Sequence, residues 1–462
     1  MGQLPIPPRP RGHLFLGNLF RYMRDPLGFL TRCAREYGDV FRLKLLGTHI
    51  YTLTHPDYIK HVLRNNHRHF RKDFFTRQLS ALLGEGLLTS EGDFWRRQRQ
   101  LAQPALQMSQ VHLYGETMVS LTERLLRTWK DGQQRNIHHD MMGLALDIVS
   151  KTLFDADVDG SEAQEVGNSL EYAMHFLMNP LTWSGVRWWL PFPSTVRFRR
   201  AVRRLDEIVY HFIRERRQTG PRGPDLLSRL VAVDDEQGKG MTDLELRDEL
   251  MTLFLAGHET TALAMSYTFY LLAQHPEAEA RLGAEVDEVL DGRVPTAADV
   301  PQLRYTEWVV KEAMRLYPPA WAVGREPLED CEIGGFHVPK GTQLQLIQYI
   351  VHRDPRWFEE PEQFWPERWD NDLARRLPRG AYFPFGDGPR VCIGNHFAMM
   401  ETVLILATIT RRYRLTLVPG YTLRLIPSVT LRPRNGIPMI VQERESRRLA
   451  HVPAVSDLVK ES

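Results

Sequence analysis

The sequence predicts a mainly α-helical protein with small β-sheets, and three observations carry that expectation. Helical patterning dominates from about residue 91 to 290, broken at 178–180 (MNP), 190–194 (LPFPS) and 219–225 (TGPRGPD). Strand character is confined to short, widely separated stretches at 39–54, 331–351 and 421–441. One helix, finally, is long enough to cross a whole domain.

In chain order, the opening LPIPPRPRG reads as extended, polyproline-like chain. Residues 39–54 (DVFRLKLLGTHIYTLT) alternate β-branched and apolar residues on either side of Leu46-Gly47, which predicts a hairpin. The long helix starts at the capping box TDLE (242–245) and runs to about Gln274, ahead of Pro276. That is roughly 33 residues, or about 50 Å. It is apolar nearly all round from Leu250 to Leu272, as a helix buried through the core should be. Its middle, AGHETT (256–261), is polar; read alone, it is a kinked core helix whose Thr260 and Thr261 bond back to preceding carbonyls. No linker divides the chain, so residues 1–442 are expected as one domain and 443–462 as a loosely ordered tail.

Composition narrows the function. Hydrophobic residues at 43% and charged residues at 25% match an ordinary globular chain, and a net charge of +2 does not announce nucleic acid. Cys33, Cys331 and Cys392 are too few and too scattered for a disulfide framework or a structural zinc site, which favours a reducing, cytoplasmic setting. There is no apolar run suited to a signal peptide or a spanning helix, so the chain is expected to be soluble.

Singly, most motifs are ordinary. EAMR puts Glu312 and Arg315 on one helix face, FWPERW (364–369) offers Arg368 in a turn, and FWRRQR (94–99) sets Trp95 and Arg99 a helical turn apart. Jointly they are not. Residues 385–394, FGDGPRVCIG, satisfy every fixed position of F-x-x-G-x-R-x-C-x-G, and upstream, in order, stand W-x-x-x-R, A-G-x-E-T-T, E-x-x-R followed by LYPP, and P-E-R-W. A chain with this series resembles the cytochrome P-450 family from its proline-rich start to about residue 440. Trp369 is the one departure, where the family more often has Phe.

The resemblance implies the cytochrome P-450 fold, with haem b held between the long central helix and the cysteine loop. It implies Cys392 as the proximal iron ligand, kept as thiolate by the iron, nearby N–H groups and the start of the following helix. Phe385 would shield the sulfur, and Gly386, Gly388 and Gly394 would allow close approach of backbone to the ring. Arg390, Trp95, Arg99 and Arg325 are the expected partners of the haem propionates. Glu312, Arg315 and Arg368 carry over as a structural network. Gly257 and Thr260 would loosen the helix and open a groove, Ala256 and Gly257 would lie against the cofactor, and Thr260 and Glu259 would deliver protons during dioxygen activation.

The activity so implied is a monooxygenase acting on a hydrophobic organic molecule such as a fatty acid, terpenoid or carotenoid. The pocket is expected from 74–90, 170–192, the front of the long helix, 320–324 and 428–431. Electrons would come from separate proteins, a ferredoxin or flavodoxin with its reductase, meeting a basic face built from Arg96, Arg97, Arg375, Arg376 and Arg379. The protein is expected to be a monomer. A peroxide-driven peroxygenase, a rearrangement enzyme and a haem-based sensor or carrier are the alternatives; the Glu259-Thr260 pair favours the monooxygenase.

Overall fold

A computed structural model describes residues 4–155, 160–177, 192–221, 223 and 225–444. The expected break at 178–180, residues 178–191 of the expected pocket segment 170–192, and the tail from 445 lie outside the described residues. The helices among the described residues include α1 (Leu19–Arg24), α2 (Pro26–Tyr37), α3 (Gly92–Ala102), α4 (Ile137–Phe154), α5 (Gly160–Leu177), α6 (Pro193–Thr219), α7 (Asp243–Leu272), α8 (Arg304–Leu316) and α9 (Asn395–Thr410). The strands are β1 (Val40–Leu45), β2 (Thr48–Leu53), β3 (Phe70–Arg71), β4 (Gln134–Asn136), β5 (Val323–Pro327), β6 (Cys331–Ile333), β7 (Phe336–Val338), β8 (Gln343–Leu346), β9 (Tyr413–Leu417), β10 (Leu425–Pro427), β11 (Leu431–Pro433) and β12 (Pro438–Glu443).

The long helix begins where its capping box predicts. Thr242 accepts from the Glu245 N–H at 3.2 Å, and the Glu245 carboxylate accepts from the Thr242 N–H at 2.7 Å. α7 then runs unbroken to Leu272, so the loosened or kinked backbone expected at AGHETT is not found. The opening there has another origin. One hydrophobic cluster takes Leu246 to Leu255 of α7 with α4 and α6, and a second takes Ala262 to Leu272 with α8 and α9. Residues 256–261 belong to neither, and the small Ala256, Gly257 and Thr260 leave a gap between two packed halves. A helix buried through the core thus interrupts its packing only at its polar centre.

The expected hairpin is β1–β2, turned by Leu46 and Gly47, both with positive φ. It heads a five-stranded sheet ordered β1-β2-β8-β5-β3, in which only β2 and β8 run parallel. The strand expected to reach 351 ends at Leu346, because Gln348–Val351 turns into a helix. β4, β12 and β9 form a second sheet, while β6–β7 and β10–β11 are separate two-stranded pairs. β3, β4, β5 and β9 fall outside the stretches read as strands. The sheets hold the long-range edges of the molecule, and the helices enclose the centre.

Candidate haem site

Between the gap in α7 and the loop before α9 lies a cavity of about 1990 Å³. A single drug-sized ligand occupies a pocket of roughly 300–1,000 Å³, so this one has room for two molecules side by side. Ala256, Gly257 and Thr260 face it from α7; Phe385, Cys392 and Gly394 face it from the opposite side.

The cysteine loop is shaped by its own backbone. Gly386 N–H donates to Phe383 O at 2.9 Å and Cys392 N–H to Phe385 O at 2.8 Å. Gly388 has φ +70°, and a Cβ there would stand 2.0 Å from the Leu63 carbonyl oxygen, so only glycine fits. Gly394 has an ordinary φ and open space where a Cβ would sit, on the cavity side. The Cys392 sulfur is exposed to this cavity while lying deep in the molecule, away from bulk water. Burial pushes its thiol up; the Gly394 N–H and the Arg99 guanidinium pull the other way. A metal centre over the sulfur would complete that stabilisation.

The cavity wall also carries a cluster of cations that Glu91 and Asp73 only partly offset. Lys72, Arg325 and Arg390 all line it. Burial, then the two arginines, push the Lys72 amine far below its usual range, and burial with Arg390 brings Arg325 down to about 10. Neither Lys72 nor Arg325 forms an ion pair among the described residues; Arg325 donates only to its neighbour, the Gly324 carbonyl, at 2.7 Å. Three buried cations against two carboxylates are costly, and the two propionates of a haem would supply the missing negative charge. Donor set, cavity and thiol all fit the group.

Two of the expected propionate partners stand differently. Trp95 and Arg99 are not among the cavity's lining residues. Trp95 lies beneath the Arg390 guanidinium, 4.2 Å from its ring centroid, while Arg390 also pairs with Glu91 and donates to Ser90 O at 3.0 Å. Arg99 donates to the Val391 carbonyl at 2.8 Å, beside the sulfur rather than among the cations. Lys72, directly after β3, is a further cation on the cavity wall that the sequence reading did not include.

On α7, the half-buried Thr260 hydroxyl donates to the Ala256 carbonyl at 2.6 Å, whereas Thr261, expected to bond back in the same way, donates to the Glu401 carboxyl of α9 at 3.0 Å instead. The Thr260 oxygen lone pairs remain free to accept from the cavity. Glu259 turns elsewhere. Its carboxylate accepts from Thr430 Oγ1 at 2.6 Å and forms a close ion pair with Arg432, both from the β10–β11 hairpin. Burial would raise this acid, but Arg432 and Thr430 outweigh it and hold it below the usual range. Acid and alcohol are adjacent in sequence yet engaged with different partners.

Behind the loop, Glu312 is fully buried and receives five donors. Arg315 contributes two at 2.8 and 3.0 Å, Arg368 one at 2.9 Å, the Trp365 N–H one at 3.1 Å and the Trp369 indole one at 2.9 Å. The unusual tryptophan therefore adds a donor that phenylalanine lacks. Arg315 also donates to the carbonyls of His352, Pro361 and Gln363, and His352 accepts from the Phe383 N–H at 3.0 Å. α8 is thereby tied to the start of the cysteine loop.

The expected pocket segments converge: Phe75, Leu79 and Leu88, then Leu170 and Met174, then Trp321 and Val323, then Val429 and Thr430 all line the cavity. Met142, Leu146 and Val149 of α4 line it as well, which the sequence reading missed. Of the surface arginines, Arg375, Arg376 and Arg379 are exposed, and Arg96 is exposed beside Asp93. Arg97 is not a surface group: it pairs with Asp235 at 2.7 Å and Glu245 at 3.1 Å, bracing α3 against the start of α7.

A family model described as Cytochrome P450 matches residues 7–438. The cyclooctat-9-en-7-ol 5-monooxygenase of Streptomyces melanosporofaciens is 38% identical over 410 residues, covering 88% of each chain. The pentalenene oxygenase of Streptomyces avermitilis is 33% identical over 404 residues, covering 87% of this chain and 90% of its own. Among solved structures, a cytochrome P450DA heme domain superposes with a TM-score of 0.87 at 29% identity, over 96% of this chain and 99% of its own. A retinoic acid-bound cyanobacterial protein gives 0.84 at 26% identity, over 96% and 100%.

Proposed function

Since this chain belongs to the cytochrome P450 family and is a haem-thiolate monooxygenase, we propose that Cys392 is its axial ligand and a bulky, apolar terpenoid its substrate. Bound haem supplies dioxygen activation and transfer of one oxygen atom to a C–H bond, the other leaving as water. The chain's residues set the conditions. Gly394 and Arg99 favour the thiolate at Cys392, and Lys72, Arg325 and Arg390 anchor the propionates. Thr260 offers an accepting oxygen in the gap of α7, and Glu259 is an ionised acid at the cavity edge, held by Arg432 until it is needed as a proton carrier.

The observation that carries the substrate reading is the cavity: room beside the haem, and a surface that is mostly apolar, with Phe, Leu, Met, Val and Trp side chains among its walls. Relatives whose names specify cyclooctat-9-en-7-ol and pentalenene support the terpenoid class over fatty acids. Electrons come from a small acidic ferredoxin or flavodoxin with its reductase, received near Arg96, Arg375, Arg376 and Arg379. The chain acts as a monomer in the cytoplasm, a setting consistent with three free thiols. Cyclic terpene alkenes and alcohols should shift the haem spin state on titration and be hydroxylated with reductant and dioxygen. A shift and turnover with fatty acids alone, or turnover with peroxide but not with reductant and dioxygen, contradicts the reading.

A further inference from the structure

Residues 84–91 lead into α3 and carry Leu88, a side chain of the cavity wall. This loop lies directly on the first half of α7. At Gly84, with φ +57°, a Cβ would stand 2.2 Å from the Asp248 carboxylate, and at Gly86 it would stand 2.1 Å from the Thr252 hydroxyl. Two adjacent acids of α7 hold the loop by its backbone. Asp248 Oδ2 accepts from the Glu85 N–H at 2.8 Å, and Glu249 Oε2 accepts from the Leu87 N–H at 3.1 Å. The loop's own bonds make it a stiff unit: Thr89 Oγ1 donates to Gly84 O at 2.7 Å and Ser90 N–H to Gly86 O at 2.9 Å. Its far end meets the haem-site cations, where Ser90 O accepts from Arg390 and Glu91 pairs with the same guanidinium.

The two acids are not equivalent. Asp248 has a counter-charge, Arg247, at 2.9 Å. Glu249 is 1% exposed and has none among the described residues. The cations nearby are already engaged: Arg247 is shared between Asp248 and Asp206 of α6, and Arg97 of α3 between Asp235 and Glu245. What acts on Glu249 from its own helix is negative, Asp248 and Glu245, while Glu85 of the loop is exposed to solvent. Its second oxygen, Oε1, and the Thr252 hydroxyl one turn on have no partner among the described residues. An ionised carboxylate in that setting is costly. A protonated one keeps Oε2 as acceptor for Leu87 and gains on Oε1 a donor a helical turn from the Thr252 oxygen. Burial accordingly pushes this acid up to about 8, against the pull of the Leu87 N–H and with Asp248 and Glu245 adding to the rise.

We propose that residues 84–91 are a proton-controlled gate on the cavity, latched to α7 while Glu249 is protonated and released when it ionises. On release the carboxylate turns to water, the Leu87 N–H loses its acceptor and Leu88 leaves the cavity wall. The sign follows from linkage. The latched acid holds its proton up to about pH 8 and the released one only to the ordinary 4.5, so the latch weakens as pH rises between these values. Nothing in this gate depends on the terpenoid reading.

The test is hydrogen exchange of the haem-loaded full chain, read at the 84–91 amides from about pH 5 to 9 and corrected for intrinsic exchange. Protection at Leu87 should fall by up to about tenfold per pH unit between about pH 5 and 8 and level off above. Dissociation of phenylimidazole, a cavity probe that reports its own release through the Soret band, should accelerate over the same window. Glu249→Gln keeps an acceptor for Leu87 without a titrating proton and should make both measurements flat with pH. Glu401→Gln, which removes the buried acid between α7 and α9, should leave both pH dependences as in the wild type. Protection that ignores pH in the wild type, or a fall that persists in Glu249→Gln or disappears in Glu401→Gln, overturns the proposal. So does a probe whose release is unmoved while protection falls. Neither readout involves the substrate, so these outcomes leave the terpenoid assignment standing.

Discussion

At Glu312 the supply of donors matters more than any single bond. Trp369→Phe removes one of five and should cost about 1.5 kcal/mol in denaturant unfolding, with the haem spectrum kept. Glu312→Ala strands two buried guanidinium groups and should cost about 3–5 kcal/mol. Thr260 faces the cavity without being needed by the core, since its one bond is to its own helix. Thr260→Ala should therefore keep the substrate-induced spin shift and divert reducing equivalents to peroxide; unchanged coupling would assign that task to another group. Arg432 sets the charge of Glu259. In Arg432→Gln the largest opposition to burial is lost and only the weaker pull of Thr430 and His258 remains, so the acid's pKa rises and the low-pH limb of coupled turnover should move to higher pH. An unmoved limb would show that Glu259 does not carry the proton. These residues differ in legibility. Cys392, Glu312 and Thr260 sit in contiguous patterns that can be read off the chain, whereas Lys72, Thr430 and Arg432 reach the site only because β3 and the β10–β11 hairpin fold against it.

α7 was legible as an element because its cap, length and apolar run are all local. Why its centre opens was not, since the cause is the boundary between two packing clusters rather than a weakened helix. β3 and β4 have too few residues to show alternation and β5 (VGREP) lacks it, whereas the alternation of β9 (YRLTL) was there to be read. Arg97 was misplaced for a related reason: helical spacing gives its face but not the Asp235–Glu245 pair packed on it. The α7–α9 contact has a pH signature. Glu401 of α9 is buried against Thr261, 3.0 Å away, and burial raises its carboxyl from an ordinary 4.5 to about 8. The folded chain then binds this proton more tightly than the unfolded one. The contribution is complete below about pH 4.5 and is lost as pH rises toward 8. Glu401→Gln should match the wild type near pH 5 and exceed it in stability near pH 8. Equal melting temperatures across that window would mean the acid is ionised in place. Glu249, which burial likewise raises to about 8, keeps its own share of the slope in the variant.

Over the whole molecule, near-neutral charge hides local faces of one sign. Arg375, Arg376 and Arg379 precede the cysteine loop and stay exposed, while α3, bearing Arg96, is joined to the loop through Arg99. Reversing Arg96 and Arg376 to Glu should slow reduction by the donor, and added salt should slow it in the wild type, with substrate affinity unmoved. A rate indifferent to both changes would place docking elsewhere. Every one of these expectations assumes that the two walls of the cavity close on a haem with Cys392 beneath it. The most direct measurement is the absorption spectrum of the reduced carbon monoxide complex, in the wild type and in Cys392→Ser. The wild type should show the thiolate-type Soret band and Cys392→Ser should lose it, even where haem is retained. A thiolate-type band that persists in Cys392→Ser would put the iron on another sulfur and contradict the account.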